Sequence, residues 1–249
     1  MKFYFTFILL VSFSSYGQNI SFREIKLRPN SRYYNTTEKT IIYPIVVTNN
    51  KRVDSLINSQ IKNNVFSPDD EKQSIYKTLD ENINDYGLIN LSYEVTFKES
   101  GLLSFSIFSE GCGAYCSSGE TYFNFDLKTG KKLVITDLII ENKLDSFHKI
   151  VFASKAKSLS KYKEDELRSL KQGVIDSNTY DWALEQVDSN CINDVKLEDF
   201  SFSSFDMEIK DICEFPHAIR SEAPTYELKY TYVFLSSFLT PRFKKLFLK

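Results

Sequence analysis

"LINLSYEVTFKESGLLSFSIFSEGCGAYCSSGETYFNFDLKTGKKLVITDL", residues 88–138, decides the fold class because apolar and polar side chains alternate through most of it. Leu91, Tyr93, Val95 and Phe97 share one face of an extended run, and Leu103, Phe105 and Ile107 share one face of the next. A period of two places successive side chains on opposite faces of a strand. Glu99, Ser100 and Gly101 form the turn between these runs, so the pair reads as a hairpin. After the cysteine loop come "TYFNFDL" and "KKLVITDL", joined by Lys128-Thr129-Gly130, where Gly supplies a left-handed residue. The Lys128–Lys131 tetrad is no phosphate loop. Phe125 stands where the first glycine is needed, and Lys132 where Ser or Thr is needed.

Upstream, "EKTIIYPIVVT" (38–48) is rich in β-branched residues and reads as a strand, with Pro44 indicating an edge or a bulge. "ISFREIKL" (20–27) is a weaker strand. Val53, Leu56, Ile57, Ile61 and Val65 recur at three and four residues, the spacing of a helix packed on a sheet, and Asn49 or Asn50 can cap it. Residues 67–85 are polar, with a short helix around Ile75 and Leu79. Downstream, residues 142–170 read as a helix with Leu144, Phe147, Ile150, Val151 and Ala156 on one side. A second helix, 180–187, carries Trp182 and Leu184. "DFSFSSF", "DMEIKDI" and "YELKYTYVFL" read as closing strands, and 236–248 as a terminal helix. Helices and strands do not alternate regularly, so the class is α+β, a mostly antiparallel sheet of hairpins with helices packed on it. The hairpins 91–108 and 122–135 are expected in one sheet, covered by the 53–65 helix.

The chain has 249 residues, with 21 Phe and 15 Tyr favouring sheet. A net charge of −2, with both signs interspersed, argues against a nucleic-acid partner. Residues 1–17 carry Lys2, an apolar run from Phe3 to Phe13 and then small residues, the pattern of a secretory signal peptide cut before Gln18 or Asn19. That run is short of the roughly 20 residues a spanning helix needs, and no later run reaches that length. The expected location is therefore periplasmic or secreted, with no transmembrane segment in the mature chain. Cleavage leaves roughly 230 residues, enough for one large domain or two small ones. The reading adopted is a strand-helix subdomain at 18–90 packed with an α+β domain at 91–249.

In an oxidising compartment the four cysteines pair with one another, and three pairings exist. Cys112–Cys116 with Cys191–Cys213 is favoured, because the first pair flanks a sharp loop and the second brackets strand-like runs. The longer closure stabilises by roughly 3 kcal/mol through the unfolded chain, the shorter by less. No cysteine or histidine pair has zinc-ligand spacing, so no metal and no cofactor is expected. His148 adjoins an apolar helical face and reads as structural, and His217 is the only other histidine. Glu110, Glu120 and Asp126 surround the loop and read as solvated turn-edge carboxylates, so no catalytic residue is assigned. Gly113, Ala114 and Tyr115 form the candidate binding loop, with Tyr115 as anchor and Tyr122 packing the sheet.

Residues 101–139, from "GLLSFSIFSEGCGAYC" through "DLKTGKKLVITDLI", resemble the domain of unknown function in the extracellular part of RsiV-type anti-sigma factors, also appended to PdaC-type peptidoglycan deacetylases. "YPIV", "VDSLINSQI" and, more loosely, "FPHAIRSEAPTYELKYTYVFLSSFL" extend the likeness over most of the mature chain. Members commonly have Gly-Ala-His where this chain has Gly113-Ala114-Tyr115 between Cys112 and Cys116, so a role needing an imidazole is lost there and a role based on loop shape survives. The resemblance implies a non-enzymatic cell-envelope binding module, whose partner is an envelope protein or a peptidoglycan-related ligand. An inhibitor or immunity protein against a cell-wall-degrading enzyme such as lysozyme is the second reading. A hydrolase using Glu110 and Glu120 ranks last.

Overall fold

A computed structural model describes residues 20–33, 36–66, 73–192, 195–216, 219, 222–224 and 226–248. The expected leader and His217 lie outside these residues. The first half of the chain forms β1 (Ser21–Leu27), β2 (Ile41–Val47), α1 (Lys51–Val65), α2 (Ile75–Asn84), β3 (Leu88–Phe97), β4 (Leu102–Cys112) and β5 (Cys116–Asp126). The second forms α3 (Ile135–Leu138), α4 (Leu144–Lys171), α5 (Ser177–Gln186), β6 (Phe200–Phe202), β7 (Asp206–Ile209), β8 (Leu228–Thr231), α6 (Tyr232–Leu235) and α7 (Pro241–Phe247). The fold is α+β, with a five-stranded sheet in the order β1-β2-β3-β4-β5 and a three-stranded sheet in the order β6-β7-β8.

The meander β3-β4-β5 is antiparallel, as the alternation predicts, and Ser100 and Gly101 turn its first hairpin with positive φ. Its odd-numbered face buries Leu103, Phe105, Ile107, Phe123 and Phe125 against Val53, Ile57 and Ile61 of α1 and Leu79 and Ile83 of α2. Each such fully buried side chain stabilises the fold by about 1.5–3 kcal/mol. Asn50 caps α1 by accepting from the amides of Arg52 and Val53. The other face of β4 joins the second sheet, and a register shift after Val95 turns Phe97 to this side rather than to the face of Leu91 and Tyr93 as the alternation predicts: Leu102 packs in one core with Phe97, Phe200, Phe202, Met207 and Tyr230, and with Phe147 and Val151 of α4. Buried polar groups stitch the layers, since the Asn124 amide donates to the Phe200 carbonyl at 2.6 Å and the Phe202 amide to Ser104 Oγ at 3.0 Å.

Several expectations are corrected. The run 131–138 is not a full strand: it returns beside β5 through an isolated pairing of Lys132 with Phe125 and then coils into α3. Asp137 causes this, because its carboxylate accepts from the Val134 amide at 3.0 Å and from Lys131 Nζ at 2.7 Å, local bonds that compete with the ladder. The strand expected through Leu235 stops at Thr231, whose hydroxyl accepts from the Phe234 amide, while Tyr232 stacks on Phe247 with ring centroids 3.9 Å apart. The terminal helix begins at Pro241, well after Ser236. Leu56 is 44% exposed at the rim of α1, and Ala156 is exposed on α4, whose inner row runs Phe147, Val151, Lys155, Leu159. Pro44 lies inside the strand order, yet β2 pairs with β3 only at Ile41 and Leu91. Beyond that pair the Asn58 side chain replaces a neighbouring strand, bonding both the amide and the carbonyl of Val46 at 2.8 Å. Pro44 is thus at a local edge, where its missing donor costs nothing. A division at residue 90 falls within β3, and the strands on either side share one sheet and one core.

Candidate contact site at the cysteine loop

β4 and β5 keep an unbroken register from Leu102 opposite Asp126 to Cys112 opposite Cys116. Directly opposed residues point to the same face, so the last pair of the ladder is the pair that closes as a disulfide, with Cα atoms 4.0 Å apart. The Gly113 amide donates to the Tyr115 carbonyl at 3.0 Å and tightens the three-residue loop beyond it. Gly113, Ala114 and Tyr115 are all exposed, Tyr115 to 76%.

A second clamp comes from the turn ahead of β3. The Cys112 amide donates to the Gly87 carbonyl at 2.8 Å, and Gly87 has φ +73°. A Cβ at Gly87 would stand 2.0 Å from the Cys112 carbonyl oxygen and 3.2 Å from the Tyr33 ring, so only glycine permits the approach. This positions Tyr86, 73% exposed, at the same end of the sheet as Tyr115. Tyr33 is anchored there by donating to the Asn84 carbonyl at 3.2 Å, and the Arg32 guanidinium lies 4.7 Å from its ring centre. Two exposed tyrosines, a half-buried third and a cation therefore gather around the stapled tip, side chains that supply contact area at low entropic cost.

Of the three carboxylates expected to be solvated at turn edges, only Glu120 is exposed; Glu110 and Asp126 are largely buried, and all three have partners within the fold. Glu110 binds the Lys39 ammonium through both oxygens, in a pair about four-fifths buried. Glu120 accepts from the Tyr122 hydroxyl, and Asp126 pairs with Arg242. Tyr122 itself is buried beneath Lys210, whose ammonium is 5.2 Å from its ring centre; burial first, then the bond to Glu120, raises its pKa. Among the described residues no cluster of three or more His, Cys, Asp or Glu could hold a metal ion. His148 is half-buried on α4 beside Phe147.

The other cysteines, Cys191 and Cys213, are disulfide-bonded in a separate apolar cluster with Leu159, Ala183, Val187 and Phe215. Beside it lies a buried ion pair absent from the sequence reading. Lys155 Nζ is 2.8 Å from Asp211 Oδ2, with side chains 5% and 6% exposed. Asp211 also accepts from the Tyr226 hydroxyl at 2.7 Å. Tyr226 borders an open cleft of about 410 Å³ with Tyr162, Asp165, Glu166 and Glu222. Burial, then the Glu222 and Asp165 charges, raise the Glu166 pKa. The sequence signal for the pair is Lys155 standing in the buried i, i+4 row of α4.

No family model matches the chain, and no curated protein matches it. Solved structures do resemble it. A DUF3298 family member from Bacteroides fragilis aligns with TM-score 0.54 at 14% identity over 90% of this chain and 94% of its own. A DUF3298 family protein from Pseudomonas aeruginosa aligns with TM-score 0.51 at 13% identity over 90% and 95%. At these identities the likeness is one of fold, that of a domain whose function is unknown. Among the described residues no helix is long and apolar enough to cross a membrane.

Proposed function

We propose that the chain is an exported, non-enzymatic binding module of the cell envelope, and that it meets its partner through Gly113, Ala114 and Tyr115. The observation that carries this reading is a tyrosine 76% exposed on a loop held from two sides, by the Cys112–Cys116 disulfide and by Gly87. An anchor already ordered before contact loses little entropy on binding. Export rests on the leader pattern of residues 1–17 and on the disulfides, and the RsiV-type kinship on the loop and "DLKTGK" motifs.

Capture from native envelope extract, comparing wild type with Tyr115→Ala, tests the reading. Loss of a buried aromatic anchor costs about 2 kcal/mol or more in such contacts, so recovery of the partner should fall by roughly tenfold or more at unchanged thermal stability. Equal recovery by both proteins would contradict the loop as contact surface. A protruding stapled loop also suits insertion into an enzyme cleft, and a captured cell-wall hydrolase whose activity the wild-type protein suppresses would favour the inhibitor reading.

A further inference from the structure

β5 is an outer strand of the five-stranded sheet, and its outward backbone is used along only part of its length. The Leu133 amide donates to the Asn124 carbonyl at 2.7 Å, and the Asp126 amide to the Lys131 carbonyl at 3.0 Å. Both contacts engage even-numbered residues, so the even positions of β5 direct their amides and carbonyls away from β4. By the same alternation Cys116, Ser118, Glu120 and Tyr122 face outward, and among the described residues no strand or loop bonds their main chain on that side. The open window is bounded at one end by the disulfide turn and at the other by the returning segment 131–133. Its exposed part runs from Ser117 to Glu120, with Cys116 and Thr121 half-buried on either side and Tyr122 buried, so Gly119 lies near its middle.

We propose that this window pairs with the same window of a second copy, antiparallel about a two-fold axis at Gly119, joining two five-stranded sheets into one. The occupant follows from symmetry and charge. A two-fold at Gly119 opposes outward residues with outward residues, so that exposed Ser118 meets exposed Glu120 of the second copy. The two glycines meet at the axis, where no side chain obstructs the approach. Glu120 is the only charge in the window, and this register sets it opposite a hydroxyl. A slip of the axis by one residue toward Glu120 would oppose two glutamates, which is unfavourable. The other edge of the sheet differs, because β1 carries Arg23, Glu24 and Lys26, charges of the kind that keep an edge unpaired. The Cys112–Cys116 disulfide closes the β4–β5 ladder at the tip, beside the window's end.

Sedimentation of the mature protein over micromolar to millimolar concentrations, with three variants at exposed Ser118, tests it. Wild type should show a monomer–dimer equilibrium. Ser118→Pro removes an outward amide that β4 does not use, and should abolish the dimer with little change in melting temperature. Ser118→Glu places like charges opposite each other twice per dimer and should weaken it roughly tenfold, whereas Ser118→Lys should tighten it by several-fold. A protein monomeric throughout would overturn the proposal. So would a dimer that the proline leaves intact, or one indifferent to the charge at residue 118, which would mean another surface or another register.

Discussion

Cys112 and Cys116 close the tip of a hairpin whose ladder already places them opposite one another, whereas Cys191 and Cys213 join segments that no strand pairing brings together. The first bridge ends in exposed residues. The second has both sulfurs buried, in a cluster that includes Leu159 of α4, Ala183 of α5 and Phe215. A bridge adds most where the chain has no other means of closure, and least where hydrogen bonds have already closed it. The buried bridge therefore maintains the fold, and the tip bridge maintains the shape of a surface.

The sharpest challenge to that contrast lies beside the buried bridge. Asp211→Ala removes the carboxylate facing Lys155 and leaves an ammonium at 4% residue exposure without it, so stability should fall by about 3–5 kcal/mol in urea unfolding. A loss under 1 kcal/mol would mean that this region is less tightly built than its burial implies. Removing Cys191 and Cys213 together, as Ser, should cost about 3 kcal/mol, since the pair closes a 22-residue separation. At the tip, Gly87→Ala sets a Cβ against the Cys112 carbonyl at a positive φ and should cost about 2 kcal/mol while also weakening partner capture. Replacing Cys112 and Cys116 together by Ser should cost less than about 2 kcal/mol, because the β4–β5 register persists without the bridge.

The smallest effect is a pH dependence in the acidic cleft. Glu166 holds its proton more firmly in the folded chain than in the unfolded one, through burial and the Glu222 and Asp165 charges. The folded state then binds more protons than the unfolded state between the two pKa values, so this group's contribution to stability declines as pH rises through that window. Glu166→Gln should accordingly raise the melting temperature slightly at neutral pH, and the gain should vanish in acid, below the ordinary carboxylate range. A gain that persists at low pH would assign the effect to packing.

The sequence was most readable where local pattern and tertiary demand agree. Leu103, Phe105 and Ile107 alternate because one face of β4 meets α1 and α2, and Val53, Ile57 and Ile61 recur because one face of α1 meets that sheet. Tip and bridges were legible through spacing: Cys112 and Cys116 flank a sharp loop of small residues, and Cys191 and Cys213 bracket strand-like runs. Where one side-chain bond redirects the backbone, the pattern misleads. Asp137 bends a β-branched run into α3, and Thr231 caps a helical turn out of an aromatic strand. Gly87 was invisible because its requirement is set by Cys112, on a different strand, and Lys155 because its partner Asp211 is distant in sequence.

Paired thermal melts of the two double-cysteine variants, under oxidising conditions, test the contrast between the bridges most directly. For a domain of this size about 1 kcal/mol corresponds to roughly 2–4 °C, so Cys191→Ser with Cys213→Ser should lower the melting temperature by about 6–12 °C. Cys112→Ser with Cys116→Ser should lower it by clearly less, while losing affinity for the captured partner. Equal losses from the two variants, or a larger loss at the tip, would contradict the assignment of one bridge to the fold and the other to the contact surface.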